Sequence, residues 1–442
     1  MEALREALRE GRPVAVWYEE GTLHFLVERG GRVEAFAYPA QGGFPSLSPE
    51  FPALEWFERD LWERHGLVPE GHPALKPLRD HRRPYPFDEV EGLHQVPVGP
   101  VHAGIIEPGH FRFHVLGERI FHLEIRLGYQ HRGVLALFEG RRWDQALLLA
   151  ERVGSEPVVH ALAFAQAAEA ALGWGVAPRG QALRIVYLEL ERAFQHLGHL
   201  AGLFTDIGYT YAATQVGRVR ALLQGEVERL TGHRYGRGVV RLGGVWRDVP
   251  QGEAEASQRR IAGWRRELQG LLPGFLKDPM VLDRMRYVGV VTQAQALLLG
   301  MVGPAARASG VPRDLRQDEP AYAPFPLVVE EGGDVLARAR VYAREALASL
   351  ELVEKQLLRL PPGPVWTEGE GREGEAWARV EAPRGELFYW VRFRNGRVAR
   401  AEVVDPSFKN WRGLALAVRG MGLPDFPLCN KSFDLSYAGC DL

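Results

Sequence analysis

Between Leu183 and Gly208 the sequence reads LRIVYLELERAFQHLGHLAGLFTDIG, and five of its residues carry charge or protons at helical spacing: Glu189, Arg192, His196, His199 and Asp206. Steps of three and four residues place them on one stripe of an α-helix. Carboxylates, an arginine and two imidazoles in a line can neutralise one another or pass protons, because imidazole titrates near neutral pH. Leu190, Phe194, Leu197, Ala201 and Phe204 form a second, apolar stripe, and Ile185, Val186, Leu188, Leu200 and Leu203 fill much of what remains. A helix that is apolar nearly all round is buried, so its charged stripe is expected to be buried and paired. Taken alone, such a stripe reads as a neutralised network that locks a helix bundle.

Other chemistry-bearing residues lie on turns. His102 in GPVHAG and His110 in EPGHF each sit beside glycine and proline. Turn histidines are often exposed and inert, and they can also be aimed into a cleft to donate a hydrogen bond or a proton. Ser155, Glu156 and His160 cluster in RVGSEPVVH, and Ser436 lies in DLSYAG near the C-terminus. The sequence holds no P-loop, dinucleotide fingerprint, HExxH or GxSxG, so nothing in it would bind NAD(P)H. Its two cysteines, Cys429 and Cys440, are eleven residues apart with no CxxC, so a zinc or iron–sulfur site built by this chain alone is not expected. They read as small, semi-buried residues of a reducing compartment.

Composition narrows the class. The 442 residues suit two or three domains, and 46% hydrophobic with 25% charged residues is ordinary for a globular protein. A formal charge of −2 argues against nucleic-acid binding by bulk phosphate neutralisation. No apolar run of about 18 residues appears, and the charged start MEALREALREGR does not read as a signal peptide.

The elements that must position these residues read as α+β, mainly α. Residues 1–85 form a small α+β unit: short alternating strands (VAVWYEEG, TLHFLVERG, RVEAFAYPA), then an amphipathic helix with Leu54, Phe57 and Leu61 on one face. A Pro-rich basic linker puts the boundary near Pro84–Asp88, so the units are 1–85 and 86–442. Strands return over 95–127, helices over 142–153, 156–173, 183–208, 212–231 and 252–272, and a glycine-rich loop interrupts them at 233–250. A helix over 334–359 shows Glu–Arg/Lys pairs on a solvated face, and strands over 377–404 include an Arg-Asn-Gly hairpin turn at 394–396.

These stretches together resemble one family, which joins the quinone-site large subunit of respiratory complex I to the large subunits of membrane-bound nickel–iron hydrogenases. The resemblance is carried by GPVHAG (99–104) with EPGHFRF (107–113), YQHRG (129–133), YLELERAFQHLGHLAGLFTDIG (187–208) and RLTGHRYGRGVVRLGGV (229–245). It continues in GPAARASGVPRDLRQDEPAY (303–322), EAPRGEL (381–387) and DPSFKNW (405–411). FERDLWERHGLVPEGHPALKPLRD (57–80) resembles the complex I subunit that docks beside the large one, a fusion like that of formate-hydrogenlyase-type hydrogenases.

The resemblance implies an α+β, mainly helical large subunit beside an iron–sulfur small subunit and antiporter-like integral membrane subunits. It also implies a peripheral position on the cytoplasmic side of the membrane and an oxidoreductase role. Hydrogenases of the family hold nickel and iron on four thiolates from two C-x-x-C pairs, soft donors suited to those metals. Here RVGSEPVVH and DLSYAG stand at those places, with Ser436 and Gly439 at the second pair and Leu135 where a relay glutamate is expected. No nickel–iron centre is therefore expected, and no metal site is assigned. The complex I branch uses the vacated cavity for a quinone headgroup, which makes His102, His110, Ser155 and Ser436 candidate acceptor-binding residues. His102, His110, Glu156, His160, Glu189, Arg192, His196 and Asp206 are the candidate cavity and proton path. The alternative is a non-catalytic scaffold subunit.

Overall fold

A computed structural model describes residues 1–102 and 106–442; Ala103 and Gly104 of the GPVHAG element lie outside the described residues. The chain opens with helix α1 (Glu2–Glu10) and the meander β1 (Arg12–Glu19), β2 (Thr22–Arg29) and β3 (Arg32–Pro39), followed by β4 (Gly43–Pro45), α2 (Glu55–His65) and β5 (Val68–Glu70). A second antiparallel meander follows: β6 (His94–Val98), β7 (His110–Leu116) and β8 (Arg119–Arg126). Then come α3 (Val134–Phe138), α4 (Trp143–Ala150), α5 (Pro157–Leu172), α6 (Pro178–Asp206) and α7 (Thr210–Thr231). The miniature hairpin of β9 (Val240–Arg241) and β10 (Gly244–Val245) leads to α8 (Gln251–Phe275), α9 (Pro279–Met285), α10 (Gln293–Leu298), α11 (Gly303–Arg307) and α12 (Val335–Leu357). A third meander, β11 (Gly374–Ala382), β12 (Gly385–Arg394) and β13 (Arg397–Val404), precedes α13 (Pro406–Ala417) and α14 (Phe426–Phe433).

The long helix α6 is the axis of this arrangement. It packs against α7 and α12, and α8 closes the bundle against α12. Twenty of its 29 residues are buried, as an apolar circumference requires. It starts at Pro178, five residues before the sequence pattern suggests, and ends at Asp206. Proline at the first helical position sacrifices no hydrogen bond. Gly180 is needed inside the first turn: a Cβ there would lie 2.2 Å from the Val365 carbonyl oxygen. The alanine-rich α5 lies on β11 and β12, where small side chains let helix and sheet backbones approach.

Asn395 and Gly396, both at positive φ, close the two-residue turn between β12 and β13 that Arg-Asn-Gly suggests. Helix α1 is an addition to the sequence reading. Its Leu4, Ala7 and Leu8 are buried. Residues 1–85 share one hydrophobic core with later segments: Trp17 packs on Phe388 and Trp390, and Phe57 meets Phe408 edge-on. Burying such a side chain contributes roughly 1.5–3 kcal/mol. Cys429 and Cys440 are fully buried in this core rather than semi-buried, and burial pushes the Cys429 thiol up to about 11.

Candidate functional site: a closed ion cluster above a buried ionic bundle

Three segments far apart in sequence meet at Arg384. Its position is set by contact between two backbones: Gly303, the first residue of α11, has a φ of +68°, and a Cβ there would lie 2.2 Å from the Arg384 carbonyl oxygen. From that anchor the guanidinium reaches both of the stretches where thiolates would stand. Nη1 donates to the Ser155 hydroxyl at 3.0 Å and pairs with the Glu156 carboxylate; Nη2 reaches Asp434 Oδ1 at 3.1 Å, and Nε donates to the Asp434 carbonyl at 2.5 Å. On the far side of Asp434, His199 Nε2 lies 2.6 Å from Oδ2. Asp434 occupies the left-handed region at φ 53° as the residue closing α14, a conformation costing roughly 1–2 kcal/mol that the surrounding contacts hold in place. Burial would raise its carboxyl, but Arg384 and His199 outweigh burial and hold it below its ordinary value. The cluster reaches solvent at Ser155, which is exposed, while Glu156 and Asp434 are buried beneath it.

His160 belongs to an adjoining pocket. Its Nε2 faces Asp405 at 3.7 Å and its Nδ1 lies 2.9 Å from the Tyr389 hydroxyl. With Nε2–H toward the carboxylate, Nδ1 accepts from the tyrosine. Burial pushes this imidazole down to about 4, so it is neutral at physiological pH. Ser436 is committed to local structure: its hydroxyl accepts from Gly439 N at 2.9 Å, and its own N–H donates to the Ser407 hydroxyl at 2.9 Å.

This donor set does not suit a nickel–iron centre. A Cβ at Gly439 would lie 2.3 Å from Asp405 Oδ2, so even the stem of a cysteine would collide there. The first stretch offers one hydroxyl, one carboxylate already paired to arginine, and the His160 imidazole already engaged by Tyr389 and Asp405. Soft metals select thiolates over such hard, neutralised oxygens.

The loops of His102 and His110 lie against the same C-terminal stretch but do not join the cluster. Glu107 accepts from Tyr437 N and Ala438 N at 2.7 and 3.0 Å, seating the loop. His102 Nε2 donates to the Gly109 carbonyl at 2.8 Å, and His110 Nδ1 is 3.4 Å from the Gly99 carbonyl. Among the described residues neither histidine bonds to Ser155, Glu156, His160 or Ser436. His110 does keep one buried ring nitrogen, Nε2, without a partner, and burial holds its imidazole below the ordinary value.

Below the cluster, the stripe on α6 divides. Asp206 is exposed and pairs with Lys431 of α14 at the surface, and His199 is only partly buried; the expectation of a wholly buried stripe fails at the last turn, where α6 reaches solvent. Glu189, Arg192 and His196 are fully buried and join a network that local periodicity could not show. Arg307 bridges Glu345 (2.7 Å) and Glu381 (2.7 Å), with Asp314 at 3.3 Å. Arg316 bridges Asp314 (2.7 Å) and Glu189 (3.0 Å), while Arg192 pairs with Glu189 at 3.2 Å and donates to the Ala382 carbonyl at 2.8 Å. His196 Nε2 meets Glu345 at 3.2 Å, and Ser349 donates to Glu189 at 2.6 Å. Burial would raise the Glu345 carboxyl; Arg307 and His196 outweigh it and hold it at about 2. The partners that sequence reasoning left out stand in motifs already noted: Arg307, Asp314 and Arg316 in RASGVPRDLR, Glu381 and Arg384 in EAPRGEL, Asp405 in DPSFKNW. Glu345 is the exception. It lies on α12, read as having a solvated charged face, and is 1% exposed.

One further group has the spacing of metal ligands, Asp88, His122 and Glu124, but Lys76 Nζ already lies 2.7 Å from Asp88 and 2.6 Å from Glu124 and supplies the positive charge there.

A helical bundle holding a buried arginine–carboxylate network, flanked by sheets and preceded by a small α+β segment, defines a class, and comparison with known proteins gives the same class. Residues 206–372 and 367–442 match the family described as respiratory-chain NADH dehydrogenase, 49 Kd subunit, and residues 18–87 match its 30 Kd subunit. The chain belongs to the 49 Kd subunit family. It is similar to formate hydrogenlyase subunit 5 of Escherichia coli (strain K12), at 33% identity over 97% of this chain and 82% of the relative. It is also similar to NADH-quinone oxidoreductase subunit 4 of Thermus thermophilus, at 29% identity over 76% of this chain and 91% of the relative. A chain in the structure of the membrane-bound sulfane sulfur reductase (MBS), an archaeal respiratory membrane complex, superposes with a TM-score of 0.74 and 27% identity, covering 81% of this chain and all of that one.

Proposed function

We propose that this chain is a subunit of a membrane-bound, complex I-like oxidoreductase assembly related to energy-converting hydrogenases, working without a nickel–iron centre of its own. Relatives named as parts of a formate hydrogenlyase, a membrane-bound hydrogenase and an NADH-quinone oxidoreductase support the assembly. In this reading residues 1–85 and 86–442 act as fused counterparts of two docking subunits. An iron–sulfur small subunit delivers electrons beside the Arg384 cluster, and antiporter-like integral membrane subunits lie beyond it. No helix among the described residues is long and apolar enough to cross a membrane. In this reading the chain sits peripherally, on the cytoplasmic side.

The observation that carries the proposal is the contrast between the two polar centres. The thiolate positions are gone, yet seven buried ionic side chains below them remain fully assembled, from Glu189 on α6 to Glu381 on β11. Buried ion pairs are weak contributors to stability compared with apolar packing of the same volume, so a network of this size favours a role in charge handling over a bare scaffold. In that role Ser155, Glu156 and His199 line the entry where a quinone or another small-molecule acceptor docks, with His102 and His110 on the adjacent loop. His196, Glu189 and Arg192 respond to the charge that arrives, and Asp206 ties the far end of α6 to α14.

The test is a mild-detergent pull-down of the tagged chain from its native membranes, with partners identified by mass spectrometry. Recovery of an iron–sulfur subunit with antiporter-like membrane proteins is the expected result. A chain recovered alone from the soluble fraction overturns the assembly, and an intact assembly whose electron transfer survives loss of the Arg384 cluster leaves only the scaffold reading.

A further inference from the structure

The ionic interior of the bundle is one positive charge short. Glu189, Asp314, Glu345 and Glu381 supply four carboxylates, Arg192, Arg307 and Arg316 supply three guanidiniums, and each of the seven is 4% exposed or less. Guanidinium does not deprotonate in proteins, so the arginine side of the count is fixed. An uncompensated buried carboxylate is costly enough that such a group takes up a proton instead. The balancing proton therefore resides on a carboxylate or on His196, among the described residues the one histidine in contact with the network.

Geometry separates the candidates. Glu189 receives Arg192, Arg316 and the Ser349 hydroxyl. Asp314 receives Arg316 through two nitrogens, at 3.0 and 2.7 Å, together with the Arg316 backbone N–H. Glu345 receives Arg307 through two nitrogens and His196 besides. Glu381 has the least: a single nitrogen of Arg307, already shared with Asp314 and the Arg313 carbonyl, and the backbone N–H of Leu315. His196 is poorly placed to carry the proton, because its Nδ1 is buried with no acceptor among the described residues. Glu381 also has access to water, since with Arg316, Glu319 and Tyr322 it lines a cleft of about 220 Å³.

We propose that Glu381 is the proton-binding carboxyl of the bundle, neutral at rest and exchanging its proton with water through the 220 Å³ cleft. The balance is simple: the carboxylate takes one proton from water in the cleft, and its release leaves the interior with a net charge of −1. Every charged side chain facing the site enters the same balance. Asp314 disfavours the ionised form, Arg307 and Arg192 favour it, and Glu345 lies across Arg307. Arg184, Arg316, Asp318, Glu319 and Arg379 stand in the cleft, and Arg12, Glu28, Arg313 and Glu386 stand in a larger cavity that Glu381 also borders. Burial, reinforced by Asp314, raises the Glu381 carboxyl above its ordinary value. One turn above, His196 stands beside His199 of the Arg384 cluster, so a charge arriving in that cluster changes the proton affinity below. Only this last use, in a redox cycle, rests on the functional reading above; the proton site stands on the ion count.

The experiment is infrared spectroscopy of the purified full-length chain at neutral pH, in H₂O and D₂O, as difference spectra between wild type and variants. Glu191, a separate buried carboxyl pushed up to about 8, gives a band of its own, so Glu191→Gln serves as the reference background. In that background a protonated-carboxyl band that shifts in D₂O is expected to remain and to disappear on adding Glu381→Gln, with the thermal midpoint of the Gln variant close to that of its parent. A folded Glu381→Gln chain that keeps the band overturns the proposal. So does a Glu381→Gln chain that fails to fold where Glu381→Asp folds without the band. If both variants fail to fold, ¹³C-labelled glutamate in the Glu191→Gln chain decides: a protonated glutamate band supports the proposal, and its absence overturns it. Electron transfer in the native assembly is not read at all, so failure of the functional reading leaves this result untouched.

Discussion

Arg307→Met is expected to destabilise the chain by several kcal/mol at neutral pH, leaving it marginally folded. The substitution removes the one cation shared by Glu345, Glu381 and Asp314, in an interior where Arg307 itself is 0% exposed. Breaking a buried ion pair by removing one partner costs roughly 3–5 kcal/mol. Asp314 loses a charge partner and Glu381 a hydrogen-bond donor in the same step, and whole-domain stability is only about 5–15 kcal/mol. The sign of the pH dependence is specific. In the wild type the Glu345 carboxyl is held at about 2, so its contribution is complete above the unfolded value of about 4.3 and is lost as pH falls toward 2. In the variant burial acts on Glu345 without its main counter-charge, its folded value rises, and acid relieves the repulsion. The stability gap between the two proteins is therefore expected to narrow from pH 7 to pH 4.5, as followed by circular dichroism in denaturant titrations. Arg307→Lys should fall between them, because an ammonium keeps the charge and loses the fork that reaches three carboxylates. An Arg307→Met chain with wild-type stability would mean that the network is not the keystone of the bundle.

Arg384→Met is expected to cost about 3 kcal/mol, the low end for a buried pair, because this guanidinium sits near solvent at Ser155. The larger loss is in what the cluster does. Glu156 and Asp434 lose their bridge, so the two stretches at the thiolate positions separate, and electron transfer in the native assembly is expected to drop at least tenfold. Burial would raise Asp434, and Arg384 and His199 hold it down. Asp434 therefore stabilises the wild type above its unfolded pKa, and this is lost as pH falls through its lowered folded value. In the variant burial competes with His199 and the more distant His196 without the guanidinium, so the stability deficit is expected to be largest at pH 7 and smaller near pH 5, by thermal unfolding at both values. A deficit independent of pH would argue for lost packing of the arginine stem instead of lost charge.

Much of this arrangement was legible in the sequence, and the reasons for the remainder are local. The axis helix, its apolar circumference and the buried Glu189–Arg192–His196 face follow from helical periodicity, which is a property of neighbouring residues. The residues that neutralise that face cannot be found the same way. Glu345 sits on a helix whose sequence suits solvent, and it is buried because Arg307, 38 positions away, turns toward it. Arg384 stood in a recognised motif, but its role as a bridge depends on Gly303 bringing two backbones together, which only the folded chain shows. At the histidine loops the residue types were legible and their bonding was not. His102 and His110 have the residue types and turns of a ligand-binding site, yet each directs a ring nitrogen toward a carbonyl of its own loop region. Asp206 kept the helical spacing of the stripe but lies where α6 reaches solvent, so periodicity placed it correctly on the face and wrongly in the interior.

The most direct test of a metal-free, ion-paired centre is the nickel content of the assembly purified anaerobically through this chain, measured by mass spectrometry against the chain's own concentration. Nickel is expected far below one atom per chain, with electron transfer retained by the wild type. One nickel per chain, lost on Arg384→Met or on substitution of Glu156, would place a metal where the structure puts a closed arginine–carboxylate cluster and would contradict the account.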